Sequence, residues 1–279
     1  MEKPKVSIII PTFNSGATLA ACLESVRNQS YSRIETIVVD NFSTDETALI
    51  AAEFDSRIIK QKSTPAMARN IGITNSSGKY IFLLDSDQVL SPSVIEECVR
   101  DCELRNAGMV RVPEVFAGKG FWSSCSAKWK NLLVKVEQKY SASRNMLTGE
   151  PRFFVKEQLV RGGMLDDNLL WAEDYDLHKR MEKMKIKETS SKSKLYHYEP
   201  ATIKEIVLKI FHYGSSMPTY TRRTGQRIFW PMTSSSVLTL KELFRECGNQ
   251  PLTLMGCVFL LFLKTFFIVF GVIKGSMTR

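Results

Sequence analysis

The chain has 279 residues, 44% hydrophobic and 24% charged, with 15 Gly and 10 Pro. This is ordinary globular composition and excludes collagen-like, coiled-coil and wholly disordered readings. Thirty-eight Lys and Arg against 29 Asp and Glu leave a formal net charge of +9, which calls for an anionic partner: nucleic acid, anionic lipid or a phosphorylated small molecule. Six cysteines lack a repeated C-x2-C spacing and only three histidines are present, so neither a zinc module nor a disulfide framework is expected.

The chain opens with Val6-Ser-Ile-Ile-Ile10, an apolar run too short for the core of a signal peptide, so a cytosolic amino-terminal domain is expected. Val6 to Ile10, Glu35 to Val39, Arg57 to Ile59 and Tyr80 to Leu84 read as strands. Between them Thr18 to Arg27, Asp45 to Ala52 and Pro65 to Ile73 read as helices. Apolar strands alternating with helices predict a parallel sheet covered on both faces, with ligands at the carboxyl ends of the strands. Those ends are polar: Pro11-Thr-Phe-Asn14, Asp40-Asn-Phe-Ser43 and Asp85-Ser-Asp87. In an extended segment residues i and i+2 point the same way, so Asp85 and Asp87 are expected to face one hard divalent cation. A solvated turn or a helix cap would show the same D-x-D spacing.

Beyond residue 200 the character changes. Residues 200–279 hold ten Lys or Arg against three Asp or Glu. Ile203, Ile206, Val207, Ile210 and Phe211 follow the spacing of one helix face. Tyr220-Thr-Arg-Arg223, Arg227-Ile-Phe-Trp-Pro231 and the apolar run Leu252 to Ile273 follow, the run interrupted only by Lys264. A helix of that length is long enough to cross a bilayer, and aromatic and arginine neighbours suit its headgroup zone. Phe121-Trp122 to Tyr140 reads as another amphipathic helix, facing either membrane or core.

Five motifs, in this order, resemble the family 2 inverting glycosyltransferases: Val6 to Asn14; Val38-Val-Asp40 with Ser43-Thr-Asp45; Ala66-Met-Ala-Arg-Asn-Ile-Gly72; Leu84-Asp-Ser-Asp87; and Gly162-Gly163 followed by Trp171-Ala-Glu-Asp-Tyr-Asp-Leu177. The resemblance covers about residues 4–200. It implies a GT-A type Rossmann-like mixed sheet flanked by helices; the apolar patterning beyond residue 200 adds the expectation of carboxyl-terminal amphipathic helices and one transmembrane helix. The expected domains are 1–200 for catalysis, 201–250 for interfacial helices and 251–279 for the transmembrane helix and tail.

In such an enzyme Pro11, Thr12 and Asn14 line the nucleotide pocket, and Asp40 accepts hydrogen bonds from base or ribose. Arg69 offsets the diphosphate charge, Asp85 contacts ribose or metal, and Asp87 is the principal ligand of Mn2+ or Mg2+. His197 in Leu195-Tyr-His-Tyr198 is a candidate third metal ligand. The acid corresponding to Asp174 is the usual catalytic base, with Glu173 in support and Asp176 structural, because inverting transfer needs one carboxylate to take the acceptor proton. Arg222 and Arg223 are candidates for an acceptor phosphate. The expected partners are a nucleoside-diphosphate sugar, a polyprenyl-linked acceptor and membrane lipid, without nucleic acid, and the catalytic domain is expected on the cytosolic side of the cell membrane. Two rivals are a sugar-nucleotide pyrophosphorylase and a noncatalytic basic module. The first lacks a Gly-rich loop after the first strand; the second leaves the acidic pairs at the strand ends unexplained.

Overall fold

The computed structural model describes residues 2–140, 150–225 and 234–277. Its framework follows from the apolar runs. Strands β1 (Val6–Thr12), β2 (Ile34–Asp40), β3 (Arg57–Lys60) and β4 (Tyr80–Leu83) are parallel, with β1 between β2 and β4. Helices α1 (Gly16–Arg27), α2 (Thr47–Glu53) and α3 (Pro65–Asn75) connect them. After β5 (Gln88–Leu90) and α4 (Val94–Arg105) come β6 (Met109–Arg111), β7 (Glu114–Ala117), α5 (Phe121–Tyr140) and β8 (Pro151–Val155). Strand β8 runs antiparallel to β4 and β6, which makes the sheet mixed. Helices α6 (Lys156–Arg161) and α7 (Glu173–Lys183) precede β9 (Glu188–Ser190), which completes the order β3-β2-β1-β4-β8-β6-β9.

Alternation along β1 divides the core into two layers. Val6, Ile8 and Ile10 belong to a cluster with Leu19, Leu23, Val94 and Cys98 from α1 and α4. Ile9 belongs to the opposite cluster, with Ala66, Ile73, Leu177 and Met181 from α3 and α7. Helix α3 starts cleanly because Thr64 Oγ1 accepts from Met67 N at 3.2 Å and Pro65 occupies the first turn. A Cβ on Gly72 would stand 2.2 Å from Ile9 Cγ2, so the glycine of the A-R-N-I-G segment lets α3 lie directly on β1.

The chain forms two compact units, Met1–Glu114 with Gly149–Tyr196, and Val115–Thr148 with His197–Arg279. The segment containing α5 thus belongs to the carboxyl-terminal unit. The physical reason is its apolar face: Trp129 and Leu132 share a core with residues of the carboxyl-terminal helices. That unit contains β10 (Leu195–Tyr198) from His197 on, α8 (Ile203–Thr224), α9 (Ser234–Cys247) and α10 (Pro251–Met277). Helix α8 opens with a capping box, in which Thr202 Oγ1 accepts from Glu205 N at 3.2 Å and Glu205 accepts from Thr202 N at 3.0 Å. Helix α10 is long and apolar enough to cross a membrane. The six cysteines are all buried and unpaired. Arg227-Ile-Phe-Trp-Pro231 lies outside the described residues.

Candidate active site

The loops after β1 and β2 are hydrogen-bonded to each other. Asp40 closes β2 fully buried, its carboxylate accepting from Thr12 Oγ1 at 3.1 Å, Ser43 N at 3.1 Å and Ser43 Oγ at 2.5 Å. Asn14 donates its backbone N–H to Ser43 Oγ at 2.8 Å, and its side-chain oxygen accepts from Thr44 N at 2.9 Å. Asp45 accepts from Gly16 N at 2.9 Å. Both oxygens of Asp40 therefore serve the loop pair. This differs from a carboxylate presented to a base or ribose: fully buried, it ties the loop after β1 to the loop after β2.

Asp85 and Asp87 also depart from the simple expectation. Strand β4 ends at Leu83, and Asp85-Ser-Asp87 forms a turn in which Gln88 N donates to Asp85 O at 3.0 Å. The two carboxylates are thus presented by a turn and not by parallel positions on a strand. Asp85 receives Arg69 on one oxygen and Arg152 Nη1 on the other at 3.1 Å. Arg69, 7% exposed, also meets Glu173 Oε1 at 2.6 Å. Arg152 continues to Glu114 Oε1 at 2.9 Å. The result is one half-buried to buried chain of charges, Glu173–Arg69–Asp85–Arg152–Glu114. It links the end of β4 to the first turn of α7.

Ala172, at φ 61°, turns the chain into α7, whose first turn holds Glu173, Asp174 and Asp176. Burial lifts the Glu173 carboxyl above the ordinary range; Arg69 works against this and the neighbouring Asp174 adds to it. Asp174 is half-buried and lies beside it. Asp176 is structural, as expected, since it binds Arg180 Nε at 2.8 Å while Arg180 donates to the carbonyls of Gly162 and Met164. Asn70 holds the same approach to α7 through Leu165 O at 2.8 Å and Leu165 N at 3.1 Å. The A-R-N segment, the two glycines and the acidic helix start are therefore one fastened assembly.

His197 lies in the other unit, with its ring 5.4 Å from that of Phe116. Arg222 and Arg223 occupy the last turn of α8 in that unit, and both are exposed. Arg152 and Glu114 were missed in the sequence; the available signal was an arginine inside the otherwise apolar strand Pro-Arg-Phe-Phe-Val. His178 was missed too, because a lone histidine in a helical pattern says little.

The His178 ring is 3% exposed between Glu150 at Nδ1 and Glu188 at Nε2, 2.9 Å away, with Arg111 Nε also on Glu188 at 3.0 Å. Burial opposes its charge, but the hydrogen bonds to Glu150 and Glu188 outweigh it and push the pKa up to about 9. A folded pKa above the unfolded value contributes stability that is full below about pH 6.5 and lost as pH rises through about 9. With solvent screening allowed for, about 2 kcal/mol is at stake. Thermal midpoints should therefore fall between about pH 6 and pH 10. In His178→Gln they should start lower and the decline should be shallower; equal slopes would exclude a charged ring.

The family model described as "Glycosyl transferase family 2" matches residues 7–155, slightly more than half of the chain. The chain is 31% identical over 192 residues to the glycosyltransferase RP339 of Rickettsia prowazekii (strain Madrid E), covering 62% of this chain and 57% of RP339. It is 33% identical over 112 residues to the glycosyltransferase GlyG of Streptococcus pneumoniae serotype 4, covering 38% and 37%. It thus spans about a third to just over half of these relatives. Among solved structures, the mannosyltransferase PcManGT of Pyrobaculum calidifontis, in complex with GDP-Man and Mn2+, superposes with TM-score 0.65 at 15% identity, covering all of this chain and 89% of that one. TarS 1–349 of S. aureus in complex with UDP gives 0.57 at 16%, covering 76% and 65%. The matched span runs from β1 through the D-x-D turn to β8, and so contains Arg69, Asp85 and Arg152 as well as the loops around Asp40: this chain belongs to glycosyl transferase family 2.

Proposed function

We propose that the protein is a metal-dependent inverting glycosyltransferase that moves a sugar from a nucleoside-diphosphate donor to a lipid-linked acceptor, a polyprenyl phosphate or lipid-linked oligosaccharide, at the cytosolic membrane face. The observation that carries the reading is the charge chain from Glu173 through Arg69 to Asp85. It couples the D-x-D turn, where a donor diphosphate would lie, to the helix start that bears Asp174. Fold neighbours bound to UDP or to GDP-Man with Mn2+ support the donor class.

The donor set is chemically suited to Mn2+ or Mg2+, which prefer carboxylate oxygens. Asp87 would be the principal ligand, with Asp85 as a further candidate that already serves two arginines. When bound, the ion supplies Lewis-acid neutralisation of the departing diphosphate. Asp174 takes the proton of the attacking acceptor oxygen while the new anomeric C–O bond forms and the bond to the diphosphate breaks. Arg69 and Arg152 balance negative charge beside the leaving group without reorganising. Pro11, Thr12 and Asn14 border the nucleotide, and Asp40 holds their loop. Arg222 and Arg223 would meet an acceptor phosphate.

Membrane attachment through the carboxyl-terminal unit is supported by the apolar α10 and by the basic excess of residues 200–279. Asp87→Ala should abolish metal-dependent donor binding in calorimetry, and with it turnover, while the thermal midpoint stays within a few degrees of wild type. Full turnover in EDTA would contradict the metal assignment.

A further inference from the structure

We infer that α10 lies in the plane of the membrane with its outer face dipped into one leaflet, and does not cross the bilayer. This rests on the membrane-attached reading above and specifies its geometry.

The faces of α10 are sharply divided. Leu252, Met255, Phe259, Phe262, Phe266, Val269, Phe270, Ile273 and Met277 are exposed, and their spacing forms a single stripe along a helix about 40 Å long. Gly256, Cys257, Leu260, Lys264, Ile268, Gly271 and Gly275 form the inner face. Lys264, which in the bare sequence interrupts a spanning run, points inward and donates to Ser126 Oγ at 2.7 Å. Ser126 in turn donates to Glu199, which Lys130 Nζ meets at 2.5 Å. Burial disfavours ionised Glu199, but Lys130, Lys209 and Lys264 outweigh it and lower its pKa to about 2.

This packing makes a crossing expensive. If Leu252 to Ile273 filled the hydrocarbon, its centre would fall near Phe262, and Cys257 to Lys264 would lie within about 9 Å of it. At that level Cys257 Sγ contacts Cys125 O, and Lys264 meets Ser126. The charges of Lys130 and Glu199 would be carried to the same depth. Helix α9 shares a core with α10 through Leu243, Cys247, Cys257 and Leu260. Its 14 residues reach only about 21 Å, too short for a bilayer core. It carries Lys241, Glu242, Arg245 and Glu246, and Glu246 pairs with Lys135 of α5 at 2.8 Å. A crossing α10 would draw these charges inward as well. An in-plane α10 leaves them above the headgroups and gives lipid only the stripe. The basic excess of residues 200–279, ten Lys or Arg against three Asp or Glu, with Arg222, Arg223 and Lys274 exposed, suits an anionic leaflet.

The test uses the full chain bound to vesicles of phosphatidylethanolamine with a minority of phosphatidylglycerol. Nitroxides at Leu252→Cys, Phe262→Cys and Ile273→Cys, all exposed positions, should report one shared depth of about 5–10 Å by oxygen and nickel-chelate collision. A membrane-impermeant maleimide should label Gln138→Cys and Ser276→Cys from the same side, the native cysteines being buried. A profile deepest at Phe262 with opposite-side labelling would overturn the in-plane geometry and keep membrane attachment. Failure to sediment with vesicles would overturn attachment itself. Spin–spin coupling between copies with no lipid exposure would make the stripe a dimer interface and also overturn the proposal.

Discussion

Asp174→Asn is expected to lower kcat about 1000-fold while donor affinity measured with Mn2+ stays within about threefold of wild type. The substitution keeps the shape of the side chain and its contact with the Tyr175 backbone N–H, 2.8 Å in the wild type. It removes only the ability to accept a proton. Glu173 does not replace it, since its carboxyl is engaged by Arg69 at 2.6 Å. Single-turnover kinetics with acceptor present, alongside calorimetry with donor alone, separate the two quantities. A parallel loss of donor affinity would make Asp174 a pocket residue and return the search for the base to Glu173.

Arg69→Met should produce the second large effect, on stability and rate together. Arg69 joins two carboxylates in a site where it is 7% exposed. Asp85 keeps Arg152, but Glu173 is left buried without its cation, a loss expected to cost about 3 kcal/mol in denaturant unfolding. Because burial already raises the Glu173 pKa and Arg69 no longer opposes this, the abandoned carboxyl takes up a proton more readily as pH falls. The destabilisation should therefore be smaller at about pH 5 than at about pH 8. Adding Glu173→Gln should recover about 1–2 kcal/mol of it, since the unpaired charge is gone. Turnover should stay low in both variants because the leaving diphosphate has lost a fixed cation. Strict additivity of the two substitutions would mean that the ion pair is energetically idle.

Much of the first unit was legible in order. The runs Val6 to Ile10, Glu35 to Val39 and Tyr80 to Leu84 are near-continuously apolar toward their carboxyl ends, which marks inner strands, and the polar residues that end them had to gather on one edge. The five motifs carried Arg69, Asp85 and Glu173 into one site because each lies in the first turns of a helix or just past a strand end, and local signals delimit those elements, as Thr64 and Pro65 delimit α3. What periodicity does not carry is partnership between distant segments. Arg152 meets Asp85 across 67 positions, and Glu150 reaches His178 across a helix start. Strand β8 turned a parallel sheet into a mixed one by pairing choices made far along the chain. Asp40 and Lys264 show the same limit from the side of burial: residue type proposed a ligand contact for one and a costly midspan charge for the other. Tertiary packing enclosed both and assigned their polar atoms to Ser43 and Ser126, because a buried polar group is tolerable only where a hydrogen-bond partner meets it.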